Sequence, residues 1–215
     1  MNDMLRSIST DFDRRAGALR RSVSNELRFV RGWFQAPLRT GAIAASGRAL
    51  AKRMAAYVDP AIDGPVLELG PGTGNFTRAL IKAGISEDRL WLVEANPDFA
   101  RHLRQVFPRA TLILGDAYQP QTWRDKCPAK PFTAIVSGLP LLTQPRDKRR
   151  SLISECLDLS RPGASFIQFT YRTAPPLPGG HGLTARPGPV TFYNLPPARI
   201  WLYSKTAKAL PVASL

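Results

Sequence analysis

Over the first 39 residues the apolar positions Leu5, Ile8, Phe12, Ala16, Leu19, Val23, Leu27, Val30 and Phe34 recur at gaps of three or four. That spacing predicts a helix with one apolar stripe. Pro37 marks its end. The small residues from Arg39 to Ser46 read as a flexible segment that could cover a ligand, and Gly47 to Tyr57 as a helix. From Pro65 the pattern changes to short aliphatic and β-branched runs alternating with helical periodicity. Strands are expected near 65–69, 90–94, 111–115, 132–137 and 164–169, and helices near 75–83, 97–107 and 146–159. This alternation predicts a Rossmann-like α/β domain with ligands at the carboxyl edge of a parallel sheet. Two more β-rich runs, Gly188 to Tyr193 and Arg199 to Tyr203, flank Asn194-Leu195-Pro196-Pro197 and predict a closing antiparallel hairpin. The expected sheet is therefore mostly parallel and seven-stranded. The chain divides into a segment 1–39 and one α/β domain, 40–215.

The densest chemistry lies in Val66-Leu67-Glu68-Leu69-Gly70-Pro71-Gly72-Thr73-Gly74-Asn75. A buried strand ends in an acid and turns through alternate glycines into a helix. Glycines there permit positive φ and close approach of a ligand to the backbone. The acid precedes the loop, which differs from the G-x-G-x-x-G fingerprint that faces a pyrophosphate. An acid at a strand tip suits a cation. The pattern therefore points to S-adenosylmethionine, which joins an adenosine to a cationic amino acid. Glu68 is expected at its ammonium group and the backbone of Gly72 and Gly74 along its aliphatic chain, with Gly70 and Asn75 also lining the cofactor. Glu94, with Ala95 after it, ends the second strand twenty residues beyond Gly74, where a carboxylate holds ribose hydroxyls. Asp116 and Ala117 follow the third strand and suit the adenine amine.

The formal charge of +14 and the pI of about 10.7 predict a polyanionic partner, either an acidic membrane surface or nucleic acid. Eight arginines and four acids lie off the apolar stripe of residues 1–39. An Arg-rich amphipathic helix can lie in a membrane interface, with Leu5, Ile8, Phe12, Leu19, Val23, Leu27, Val30, Trp33 and Phe34 inserted. The same stripe could instead pack on the chain's own domain or on a second subunit. Cys127 and Cys156 form no C-x-x-C pair and lack clustered histidines, which points to a reducing cytoplasm and no metal. No apolar run approaches the ~20 residues of a membrane span.

The fourth strand ends in Ser137-Gly138-Leu139-Pro140-Leu141-Leu142, where a transferable methyl group would sit. Enzymes that methylate nucleobase amines place Asn or Asp there, followed by Pro and an aromatic. Ser137, with Gly138, Leu139 and Pro140, offers a small polar group and an apolar wall, better suited to an aliphatic amine. The Pro- and Gly-rich stretch 170–189 is expected as a loop over the substrate. Tyr171 would present a hydroxyl or π-face to an ammonium, Arg172 and Arg186 would meet a phosphate, and His181 or Tyr171 would take a proton.

Taken together, Gly41-Ala42-Ile43-Ala44, the glycine stretch, Phe99-Ala100-Arg101-His102-Leu103, Ser137-Gly138-Leu139-Pro140-Leu141-Leu142, Gln168-Phe169-Thr170-Tyr171 and Asn194-Leu195-Pro196-Pro197-Ala198-Arg199-Ile200-Trp201 resemble the soluble bacterial phospholipid N-methyltransferases, the PmtA-like group. The resemblance covers Leu38 to Lys205. It implies a class I methyltransferase fold and stepwise methylation of phosphatidylethanolamine to phosphatidylcholine. It also implies S-adenosylmethionine as donor, no metal, and a membrane-bound N-terminal helix at the inner face of the cytoplasmic membrane. Two rivals stand beside it. The glycine motif and the charge fit an rRNA adenine dimethyltransferase, and a non-catalytic binding protein could share the fold.

Overall fold

A computed structural model describes residues 41–191 and 197–206. The expectations for residues 1–39 lie outside the described residues. The chain begins there with α1 (Gly41–Ala55), followed by β1 (Val66–Leu69), α2 (Asn75–Lys82), β2 (Leu90–Glu94), α3 (Pro97–Val106), β3 (Thr111–Leu114), β4 (Phe132–Ser137), α4 (Arg146–Asp158), β5 (Ser160–Thr170), β6 (Leu183–Thr191) and β7 (Ala198–Lys205).

The strands form one sheet in the order β3-β2-β1-β4-β5-β7-β6. β1 to β5 are parallel, whereas β7 pairs antiparallel with both β5 and β6. β1 and β4, at the centre, are buried at every residue, as expected of strands covered on both faces. Alternate side chains feed two cores. Val66, Leu92, Val136 and Ile167 pack with Leu50, Met54 and Leu80 of α1 and α2. Leu67, Ile135, Phe166 and Tyr203 pack with Ile153 and Cys156 of α4. α3 starts where its sequence directs: the Asn96 side chain accepts from the Asp98 and Phe99 amides, and Pro97 needs no amide partner at the first helical position.

Two boundaries differ from the sequence expectation. The segment 41–46 is not a loose cover but the first turns of α1. Its run of small residues carries no polar-apolar contrast, although alanine is the best helix former. The stretch 170–189 is not a loop throughout, because β6 begins at Leu183. Pro187 and Gly188 disguise that strand, and the β6–β7 register shifts between Pro187 and Val190, where the ladder tolerates a missing donor.

Candidate cofactor and substrate site

The site is built at the carboxyl ends of β1, β2, β3, β4 and β5. After Leu69 the chain turns through Gly70, Gly72 and Gly74 at φ 65, 55 and 79°, a left-handed conformation that favours glycine. These glycines do different work. A Cβ on Gly74 would lie 2.4 Å from the Phe107 ring, so this glycine lets α2 pack against the end of α3. A Cβ on Gly70 would lie 2.7 Å from Leu139 Cδ2, so this glycine brings the β1 loop against the β4 loop. The sequence predicts that their backbones face the ligand; the structure adds that protein side chains fill the space their missing side chains leave.

Glu68 is wholly buried. Its Oε2 accepts a hydrogen bond from Thr77 Oγ1 at 2.8 Å, while Oε1 has no partner. Burial pushes its carboxyl from an ordinary 4.5 up to about 8, against the opposing effect of the Thr77 hydrogen bond. The unsatisfied oxygen of this buried carboxyl lies beside the glycine turn, and a cationic group arriving there would favour its charged form.

Glu94 is buried at the tip of β2. Its Oε2 accepts from the Gly72 amide at 3.0 Å and its Oε1 from the Asn96 amide at 2.8 Å. The acid thus pins the glycine loop to β2, a role the sequence did not reveal. Each oxygen retains a lone pair for a hydroxyl. Asp116 accepts from the Tyr118 amide and from the Gln119 side chain, both at 2.9 Å, and so shapes the turn after β3. Ala95 is exposed, Asn75 half-buried and Ala117 buried. These residues fit the cofactor expected from the sequence: three acids sit at consecutive strand tips, with an orphaned oxygen at the innermost.

Next to these acids, the edge at the β4 turn is apolar. Gly138 is held so close to β1 that a Cβ there would meet Gly70 O at 2.8 Å. Leu139, Pro140, Leu141 and Tyr171 line a small notch of about 20 Å³. Tyr171 stands at its rim, edge-on to Phe169 with ring centroids 5.6 Å apart. Arg172 is half-buried beside it, its amide donating to Thr170 Oγ1 at 3.2 Å.

Three expected residues are placed elsewhere. Ser137 is fully buried, and its Oγ accepts from the Leu139 amide at 3.3 Å. It therefore shapes the turn beneath the site instead of facing a methyl group. His181 and Arg186 belong to the other end of the sheet. Thr170, at the carboxyl tip of β5, pairs with Arg199, whereas Leu183 pairs with Lys205 at the far end of β7. The chain descends from Tyr171 to the start of β6 and carries exposed His181 down with it. Arg186 lines a separate groove with Asp158, Arg161 and Lys205.

Other supporting residues were not among the expected site residues, although Gln168 stands in one of the stretches that carry the resemblance. Thr77 is the hydroxyl partner of Glu68. Gln168 donates to Leu139 O at 3.0 Å and fixes the β4 turn. Arg149, hidden in a basic run, donates to Gln144 O at 2.9 Å and to Pro176 O, tying that turn to the segment after β5. Among the described residues no cluster suits a metal ion, and no helix is long and apolar enough to cross a membrane.

Residues 66–163 match the family model described as a methyltransferase domain. The chain is 30% identical over 108 residues to an ornithine lipid N-methyltransferase of Singulisphaera acidiphila, covering 49% of this chain and 56% of the relative. It is 37% identical over 81 residues to a probable ribosomal RNA small subunit methyltransferase A of Haloarcula marismortui, covering 35% of this chain and 25% of that relative. The chain thus spans less than two thirds of either relative. Among solved structures, magnesium protoporphyrin IX methyltransferase from Synechocystis PCC 6803 with bound SAM superposes with a TM-score of 0.59 at 13% identity, over 82% of this chain and 90% of that one. A putative O-methyltransferase from Klebsiella pneumoniae gives 0.58 at 20% identity, over 85% and 90%. Strand order, glycine turn, matching family model and superpositions agree that this chain has the fold of the class I S-adenosylmethionine-dependent methyltransferases.

Proposed function

We propose that the chain is an S-adenosylmethionine-dependent N-methyltransferase acting on the amine of a membrane lipid headgroup, phosphatidylethanolamine and its methylated intermediates, to give phosphatidylcholine. The observation that carries this reading is the apolar β4 turn, where Leu139 lies directly against Gly70 of the glycine loop. A planar nucleobase amine calls for planar hydrogen-bonding groups at that point, and this turn has none. The similarity to a lipid N-methyltransferase across 49% of the chain supports the same class, with ornithine lipid as the alternative amine.

When bound, the cofactor supplies an electrophilic methyl group on a sulfonium. Glu68 would hold its ammonium, Glu94 its ribose hydroxyls and Asp116 its adenine amine. The protein's own task is to present a neutral amine, because an ammonium has no lone pair. The apolar notch formed by Leu139, Pro140 and Leu141 disfavours the charged form by desolvation. The Tyr171 ring, at the rim, would offer its π-face to the ammonium form, and the proton would leave to water as the amine enters the notch. The β4 turn and the segment after β5, tied together by Arg149, would align the amine for attack. The Arg-rich segment 1–39, as the amphipathic helix that its spacing predicts, would hold the enzyme on anionic lipid at the cytoplasmic face of the membrane.

A second reading has its own support: the +14 charge and the 37% identical ribosomal RNA methyltransferase segment fit an RNA substrate. Methyl-labelled cofactor offered with phosphatidylethanolamine vesicles, and separately with ribosomal RNA, decides between them. Label in the lipid fraction supports the proposal. Label in RNA alone replaces it.

A further inference from the structure

Beyond the notch, the face of the sheet shared by β5 and β7 carries a group of buried polar atoms that the proposed function leaves unused. Gln168 and Trp201 are direct partners across the β5–β7 ladder, and Thr170 and Arg199, two residues on, are the next pair on the same face toward the carboxyl edge. Gln168 is 1% exposed and Trp201 6%. Gln168 Oε1, Trp201 Nε1 and Arg199 Nε are all buried without a hydrogen-bond partner. The Arg199 guanidinium lies 5.9 Å from the centroid of the Trp201 ring. No carboxylate among the described residues lies within ion-pair distance of it.

Unpaired buried donors on neighbouring residues are costly in a fold with no ligand to meet. Their position gives them a use. The acids Glu68, Glu94 and Asp116 occupy the tips of β1 to β3, whereas Arg172 follows β5 and Arg199 opens β7. The edge is thus acidic at β1 to β3, apolar at the β4 turn, and basic beyond it at Arg172 and Arg199. β7 lies two strands from β4, about 10 Å at the usual ~4.8 Å strand spacing. An arginine side chain and a short headgroup together bridge that gap.

We infer that Arg199, stacked on Trp201, binds the anionic group of a zwitterionic amine headgroup and so directs the amine toward the tip of β4. The inference rests on the lipid-amine reading above and adds the specificity element for it. A guanidinium recognises the two oxygens of a phosphodiester and of a carboxylate alike. The shared feature is therefore one anion a few bonds from the amine, as in phosphatidylethanolamine or in ornithine lipid. The indole N–H of Trp201 is a second donor for the same anion.

The test uses the full chain and its Arg199→Gln, Arg199→Lys and Trp201→Phe variants. Calorimetry with short-chain phosphatidylethanolamine and with short-chain ornithine lipid measures headgroup binding. Methyl transfer to both lipids, and to an N-(2-aminoethyl) fatty amide that has the amine but no anion, measures turnover. Arg199→Gln should weaken binding and raise KM for the anion-bearing lipids roughly ten- to a hundredfold, the usual range for a lost charge-assisted hydrogen bond. It should leave cofactor affinity and turnover of the neutral amide unchanged. Arg199→Lys should recover part of the loss and Trp201→Phe should show a smaller one. An effect on one anion-bearing lipid alone identifies which of the two the site serves. Equal headgroup affinity in wild type and Arg199→Gln overturns the inference, as does an equal loss on the neutral amide. If the wild type binds the headgroup through Arg199 but transfers no methyl group, the anion site stands and the lipid methyltransferase reading fails.

Discussion

Replacing Glu94 by Ala tests the geometry of the cofactor site more sharply than any other single change. In the structure this one carboxylate accepts the Gly72 amide at 3.0 Å and the Asn96 amide at 2.8 Å while closing the tip of β2. The substitution deletes both acceptors from a buried position. A hydrogen bond to a charged group contributes about 1.5–3 kcal/mol, and neighbouring losses are not additive, so the fold should lose about 3 kcal/mol. For a chain of this size that lowers the melting temperature by roughly 6–12 °C. Loss of the ribose hydrogen bonds should weaken S-adenosylmethionine binding by a further ten- to a hundredfold, on the order of 1.5–3 kcal/mol. Glu94→Gln separates the two effects. Its amide keeps one acceptor for a backbone N–H but turns a donor toward the other, so stability should fall less than in Glu94→Ala while affinity still drops. Thermal melting of the free protein and calorimetric titration with the cofactor supply both quantities. A Glu94→Ala protein with unchanged melting temperature and cofactor affinity within about twofold of wild type would refute both the pinning of the glycine loop and the ribose assignment.

Three further outcomes are expected. Because burial holds the Glu68 carboxyl near 8, above its ordinary 4.5, the free protein binds a proton there that the unfolded chain releases. Its contribution to stability should therefore fall as pH rises from about 4.5 to about 8, and cofactor affinity should rise toward pH 8 as the carboxylate forms; Glu68→Gln should flatten both trends, and an unchanged pH dependence of cofactor affinity in that variant counts against the ammonium site. His181→Ala should retain wild-type turnover, because His181 sits in the turn before β6, at the end of the sheet opposite Glu68 and Tyr171; a loss of more than about tenfold would show that the residue reaches the site. Deleting residues 1–34 should leave cofactor binding intact and abolish vesicle binding, with each basic residue near an anionic surface contributing about 1 kcal/mol and salt weakening the wild type; co-sedimentation of both forms alike would remove the membrane role.

The glycine turn and the acid-tipped strands were legible because each demands a particular residue type at a fixed spacing. Val66 to Leu69 had to be a buried strand, and the positive φ angles at Gly70, Gly72 and Gly74 follow from the alternation of glycine. What the glycines face was not legible. Phe107, thirty-three residues after Gly74, fills its missing side chain, and nothing local announces that long-range contact. His181 and Arg186 were misplaced for a related reason. A Pro- and Gly-rich stretch reads as a loop over the site, yet its second half is the strand β6, and only the register against β7 shows that it starts at the far end of the sheet. Ser137 stands at the end of β4, where the sequence predicts a site residue, but its hydroxyl is turned under the chain by the Leu139 amide. Thr77, Gln168 and Arg149 act through tertiary hydrogen bonds between elements that the sequence does not pair.

The central claim is that these strand tips bring a methyl donor to the amine of a lipid headgroup. Its most direct measurement is mass spectrometry of intact lipids after the full-length protein is incubated with deuteromethyl S-adenosylmethionine and vesicles of phosphatidylethanolamine mixed with an anionic lipid. The account predicts deuteromethyl groups on the headgroup nitrogen, dependent on the protein and diminished in Glu94→Ala. Unlabelled lipid, with the cofactor shown to be bound, would contradict it.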